Sequence, residues 1–102
     1  MNHGLPEATV VKIHAVFARH PQLAKAVLYG SRAKGTYKPG SDIDLALFGE
    51  GLGPREVRAL EDELDELLLP YGIDLVVFAT LDHPQLREHI ERVGQEFYSR
   101  HD

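Results

Sequence analysis

The sequence predicts an α/β domain in which helices pack around a small sheet, in the order helix, strand, helical turn, strand, helix, strand, helix. Three observations carry that expectation. Segments with apolar residues at helical spacing alternate with short apolar runs of strand length. Glycines and prolines gather between these segments rather than inside them. The stretch beginning at Pro54 shows the clearest amphipathic helical pattern of the chain.

Taken in order, Pro6 and Glu7 open a first helix whose buried stripe is Val10, Ile13 and Phe17, ending near His20-Pro21. Ala26 to Tyr29 reads as strand one, ending at Gly30. A helical turn at Ser31–Lys34 follows, then a loop containing Gly35, Pro39 and Gly40. Ile43 to Phe48 is strand two, closed by glycines at 49, 51 and 53. In the helix from Pro54, Val57, Leu60, Leu64, Leu67 and Leu68 share one face, and Arg55, Glu61, Asp62, Asp65 and Glu66 the other. Pro70 and Gly72 stop it. Ile73 to Ala79 is strand three, nearly continuous in apolar residues, the pattern of a covered central strand. Pro84 to Val93 is the last helix, with Leu86, Ile90 and Val93 inward and Gly94 as its cap. Glu96-Phe97-Tyr98 is left as either a short edge strand or a docking tail, with the two aromatics either sealing the core or meeting a partner.

At 102 residues the chain has the length of one domain with a core of modest size. Hydrophobic content of 43% and charged content of 26% are ordinary for a globular protein. No cysteine is present, which excludes disulfides and thiolate metal sites. No run reaches the roughly 18–20 apolar residues of a membrane span, and no basic-then-apolar signal pattern opens the chain, so the cytoplasm is the expected compartment. A net charge of −5 without a basic stripe argues against duplex nucleic acid as a partner.

The chemistry is concentrated in one constellation. Gly30-Ser31 is followed after a gap of ten residues by Asp42-Ile43-Asp44, and Asp74 interrupts the apolar run Ile73 to Phe78. Side chains alternate along a strand, so Asp42 and Asp44 project from one face, and Asp74 joins them if its strand lies alongside. Three carboxylates together repel one another and are expensive to desolvate. Divalent cations remove that penalty, and hard oxygen ligands suit Mg²⁺, which takes one or two carboxylates plus substrate phosphates. The Gly-Ser turn offers backbone N–H groups and a hydroxyl to those phosphates. Each member also has a plainer reading. Asp74 can be a strand-end acid facing water or paired with a base. Gly30 can be an ordinary turn glycine and Ser31 a helix cap. Arg32 and Lys34 can contact phosphates or be solvated charge, and Ser41 can orient a carboxylate or hold its turn. Tyr37 can stack a base or close its own loop. The histidines show no metal spacing: His83 and His89, six apart, fall on different helix faces, and His14 and His20 do no better. Those four, with His3 and His101 near the ends, are expected to be structural or exposed.

The segment Leu28-Tyr29-Gly30-Ser31-Arg32-Ala33-Lys34-Gly35, then Ser41-Asp42-Ile43-Asp44-Leu45, with Asp74 in Gly72-Ile73-Asp74-Leu75-Val76, resembles the signature of the DNA polymerase beta nucleotidyltransferase superfamily. The chain's length resembles that superfamily's minimal nucleotidyltransferase group. The resemblance implies a nucleotidyltransferase fold, a small mixed sheet with helices packed on it, and Asp42, Asp44 and Asp74 as catalytic and metal-binding residues. It implies two Mg²⁺ ions and ATP as substrate, in-line displacement at the α-phosphorus and departure of pyrophosphate. Gly30 and Ser31 would hold the outer phosphates, with Arg32 and Ser41 as further nucleotide-binding candidates. Members of the minimal group resemble antitoxins encoded beside a small helical HEPN toxin, and some transfer AMP to a tyrosine of that toxin. The expected partner is therefore a HEPN-type protein in a hetero-oligomer. Two other readings stand beside it: an antitoxin acting by occlusion alone, and a small-molecule nucleotidyltransferase, which a chain this short leaves little surface to build.

Overall fold

The computed structural model describes residues 4–38 and 40–100; His3 and His101 lie outside them. Helix α1 (Glu7–Ala18) leads into β1 (Lys25–Tyr29), the short α2 (Ser31–Lys34) and β2 (Ile43–Phe48). Then come α3 (Pro54–Asp65), β3 (Ile73–Val77), a 3-10 turn (Phe78–Thr80), α4 (Pro84–Val93) and β4 (Gln95–Ser99). The strands form one sheet in the order β3-β2-β1-β4. β1 runs antiparallel to both β2 and β4, whereas β2 and β3 are parallel, so the sheet is mixed. A parallel pair needs a crossover, and α3 is the helix within it. No helix among the described residues is long and apolar enough to cross a membrane.

Period-two alternation sorts the strand residues between two layers. Leu28 of β1, Ile43, Leu45 and Leu47 of β2, and Leu75 of β3 join Ile13, Val16 and Phe17 of α1 and Leu60 and Leu64 of α3 in the larger core. Tyr29 and Ala46 face the other way and pack with Ile90 of α4, flanked by Val27, Val76, Leu86 and Val93. α1 and α3 thus cover one face of the sheet and α4 the other. β4 seals its edge: Phe97 is buried in the larger core and meets the Phe17 ring edge-on at 6.5 Å. That resolves the open reading of the C-terminal aromatics in favour of a strand that closes the core.

Three features differ from the sequence expectation. β3 is an edge strand rather than a central one, and its apolar character comes from Ile73, Leu75 and Val77 facing α3 while Val76 packs on the α4 side. It also ends at Val77, where the chain tightens into the 3-10 turn. Leu68 does not join the apolar face of α3. The helix ends at Asp65, the amides of Leu67 and Leu68 bond three residues back to Leu64 and Asp65, and Leu68 adopts φ +53 with 88% of its surface exposed. That left-handed step turns the chain toward β3 before Pro70, carrying the Leu68 side chain outward.

Candidate active site

The sheet register places the acids. Tyr29 of β1, Asp44 of β2 and Asp74 of β3 lie at one level across three adjacent strands, as the pairs Tyr29↔Asp44 and Asp44↔Asp74. Asp42, two residues before Asp44, belongs to the same face by alternation. This is the face covered by α4, and the acids lie at its end beyond Ala46 and Val76. Asp44 is half-buried, while Asp42 and Asp74 are exposed. Because β3 is the edge strand, Asp74 keeps its water and does not carry the desolvation penalty that its apolar neighbours in sequence suggested. Asp44 carries that penalty instead. Its carboxyl is pushed above the usual carboxylate value by burial first, then by the charges of Asp74 and Asp42, with His89 pulling the other way.

Two glycines make this packing possible. Gly30 ends β1 with φ +79, and a Cβ there would stand 2.5 Å from Asp44 Oδ2. Gly72 precedes β3, and a Cβ there would stand 2.8 Å from Asp42 Oδ1. A bond from the Ile43 amide to the Gly72 carbonyl, 2.8 Å, ties the two acid-bearing segments together. Ser31 begins α2 directly after Gly30, so the turn borders Asp44 from the β1 side.

The remaining candidates fall elsewhere. Arg32 is only 2% exposed; its Nε and Nη2 donate to the Ser41 carbonyl at 3.1 and 2.9 Å, between the rings of Tyr37 and Tyr71. Ser41 accepts from the Lys38 amide through Oγ at 2.8 Å, so its hydroxyl holds the turn. Tyr37 closes its own loop over Arg32 rather than standing free. Lys34 is exposed.

Two residues at the site escaped the sequence reading. The Tyr29 hydroxyl is pushed up to about 12 by burial, then by the charges of Asp74 and Asp44. The His89 ring meets the Tyr29 ring edge-on at 6.2 Å. Tyr29 was legible as the last strand residue before Gly30, and His89 as the residue three after inward-facing Leu86. Of the other histidines, His14 bonds the Phe97 carbonyl, His20 meets Glu63, and His83 Nδ1 accepts from the Leu86 amide as the N-cap of α4.

None of the three carboxylates forms an ion pair or side-chain hydrogen bond among the described residues. As they stand, no three His, Asp or Glu side chains among the described residues are arranged to hold a metal ion. The donor set nevertheless suits Mg²⁺: these are hard oxygen ligands, none of them ion-paired with a base among the described residues. Mg²⁺ needs only one or two carboxylates when phosphates complete its shell.

The chain belongs to the family described as Polymerase beta, Nucleotidyltransferase, whose model matches residues 11–102. It is accordingly a nucleotidyltransferase-fold protein of mixed α and β architecture. A comparison with curated protein sequences found no match. Among solved structures it is similar to a chain of a toxin–antitoxin complex crystallised with AMP-PNP, at 25% identity and TM-score 0.71, over 94% of this chain and 75% of that one. A chain described as a candidate minimal nucleotidyltransferase is 28% identical, TM-score 0.69, over 93% of this chain and 95% of that one. A chain from the complex of a tri-AMPylated Shewanella oneidensis HEPN toxin with an MNT antitoxin matches at 21% identity and TM-score 0.67, over 92% and 72%, which speaks to the fold.

Proposed function

We propose that this protein transfers AMP from ATP to a hydroxyl of a partner protein, a tyrosine of a HEPN-type toxin, and so acts as its cytoplasmic antitoxin. The observation that carries the reading is the row of acids without an ion-pair partner among the described residues, Asp44 beside Asp74 with Asp42 two residues away, next to the Gly30-Ser31 turn in a chain of this family. Its likeness to chains of a complex containing AMP-PNP and of one containing an AMPylated HEPN toxin supports the nucleotide and the partner.

In the transfer, the acceptor oxygen bonds to the α-phosphorus of ATP, the bond to the bridging oxygen of the β-phosphate breaks, and pyrophosphate leaves. Asp42 and Asp44, with Asp74, would hold Mg²⁺, which when bound offsets the charge of the triphosphate and of the leaving oxygens. Asp74, exposed on the edge strand, is open to an incoming acceptor and takes the hydroxyl proton. Gly30 and Ser31 present the turn that receives the outer phosphates. The Tyr29 hydroxyl stays protonated at neutral pH, and Tyr29 is the register partner of Asp44. The chain's contribution is therefore positioning and electrostatics.

The test is co-expression with a HEPN-type toxin, followed by intact-mass measurement of that partner after incubation with ATP and Mg²⁺. Addition of AMP groups by wild type and not by Asp42→Ala supports the reading. An unmodified partner that is neutralised equally well by both proteins overturns it in favour of occlusion.

A further inference from the structure

The segments that carry Gly30-Ser31, Asp42 and Asp74 come from separate parts of the sheet edge, and one side chain touches the neighbourhoods of all three. Arg32 lies next to Ser31 on α2. Its forked N–H groups reach the Ser41 carbonyl, the residue before Asp42. Its guanidinium lies 5.0 Å from the centroid of Tyr71, the residue before Gly72, and 5.0 Å from that of Tyr37 in the intervening loop. Among the described residues the ion-paired arginines behave differently: Arg19, Arg58 and Arg92 pair with acids on exposed surface.

We infer that Arg32 is a positioning residue for nucleotidyl transfer, a buried brace that fixes the phosphate turn and the two acid-bearing segments relative to one another without touching substrate. Burying a cation is unfavourable unless hydrogen bonds and polarisable groups replace its water. Here a carbonyl accepts from two N–H groups at once, and two aromatic rings lie against the guanidinium. An apolar side chain would fill the same space at lower electrostatic cost but could not hold the Ser41 carbonyl. The fork also fixes direction, since both Nε and Nη2 converge on a single oxygen. The Ser41 position is fixed from within its own turn as well, by Ser41 N–H to the Lys38 carbonyl at 2.9 Å and Lys38 N–H to Ser41 Oγ. Arg32 therefore grips a residue already tied to Lys38 by two hydrogen bonds, and that residue leads directly into Asp42. On the other side, Tyr71 leads through Gly72, whose carbonyl accepts from the Ile43 amide, into β3 and Asp74.

This rests on the transfer reading above, and its test has an arm that does not. Arg32→Lys keeps a cation between the rings but loses the fork. In transfer assays at a temperature where the variant is fully folded, kcat should fall by about 10- to 100-fold while KM for ATP moves by no more than about threefold, since misplacement affects the transition state more than ground-state binding. In the ligand-free protein, amide hydrogen exchange should speed up at Ser41 and Ile43 while protection in α1 and α3 is kept. Tyr37→Leu, which removes one ring and leaves the arginine, should reproduce both effects more weakly. Arg92→Gln, an exposed ion-pair residue, should do neither. Wild-type kcat in Arg32→Lys overturns the inference. So does unchanged exchange at Ser41 and Ile43, or protection lost uniformly through α1 and α3, which makes Arg32 an ordinary stabilising residue. If the wild-type protein transfers no AMP at all, the functional reading fails and the exchange arm alone decides the role of Arg32.

Discussion

Asp44 and Asp74 are register partners across the parallel β2–β3 pair, two acids at the same level of neighbouring strands with no base paired to either among the described residues. Like charges placed directly opposite one another in a sheet destabilise it. This pair is retained where Asp44 is also partly desolvated, and the folded protein holds its carboxyl above the usual range.

Asp44→Asn should therefore separate stability from activity. A carboxyl whose folded-state pKa is raised contributes stability that is present at acid pH and lost as pH rises through the raised value. Ligand-free wild type should lose stability over that window, above the ordinary value of 3.8, and the Asn variant should not. At pH 7 thermal unfolding should show the variant equal to or more stable than wild type, with AMP transfer reduced to background. A clearly less stable variant would show that the carboxylate is compensated in the apo protein.

Glu63 titrates with the opposite sign. The Arg19 hydrogen bond first, with His20 adding to it, holds its carboxyl below the usual value of 4.5. Stability from a lowered carboxylate is present above the unfolded pKa and disappears as pH falls through the folded one. Glu63→Gln should lower stability by about 0.5–1 kcal/mol at neutral pH, a magnitude set by solvent screening of a surface pair. The gap to wild type should close on acidification below the ordinary carboxylate range. Denaturant melts at neutral and acid pH measure it, and a gap that persists in acid would assign the effect to packing.

Gly30→Ala and Gly72→Ala form a contrasting pair. At Gly30 the backbone is left-handed and the added Cβ meets Asp44, so the variant should lose about 1–2 kcal/mol and its activity together. At Gly72 no positive φ is involved and the obstacle is the end of the Asp42 side chain, which can swing away. Stability should change by less than about 0.5 kcal/mol, as for substitutions free of backbone strain, while displacement of Asp42 lowers transfer. Parallel unfolding and transfer measurements distinguish the two; equal stability losses would count against this account of Gly30.

Leu68 and Phe17 test the core assignment. Phe17→Ala, at 0% exposure, should cost about 3–5 kcal/mol. Leu68→Ala should cost under about 0.5 kcal/mol, as for a surface position. Leu68→Gly should stabilise slightly, because relief of a left-handed leucine, roughly 1–2 kcal/mol, outweighs the chain entropy added by glycine, roughly 0.5–1 kcal/mol. Urea midpoints at constant m-value give all three. A large loss in Leu68→Ala would place that side chain in the core.

Legibility in the sequence followed the range of the interaction. Ile43, Leu45 and Leu47 alternating with Asp44 and Ala46 announced both the strand and the separation of core from acids, because alternation is a property of the backbone itself. The helix starts at Pro54 and Pro84 and the strand end at Gly30 are equally local. His89 and Tyr29 were missed since their meeting depends on α4 crossing the β1 end of the sheet. For Arg32 the sequence left phosphate contact and solvated charge both open, because nothing local distinguishes a guanidinium facing outward from one turned toward Tyr37 and Tyr71.

The sequence by itself determined the helices and the presence of the first three strands, the acidic face of β2, the Gly-Ser turn and the family; the last strand, β4, it left open. Only the tertiary structure decided that β3 is an edge strand, that Asp74 is exposed while Asp44 is half-buried, that Leu68 faces solvent, and that Arg32 joins the loops behind the acids. The physical reason is that periodicity and turn chemistry are written into neighbouring residues. Strand order and the burial of a charge depend instead on which distant segments come to lie beside one another.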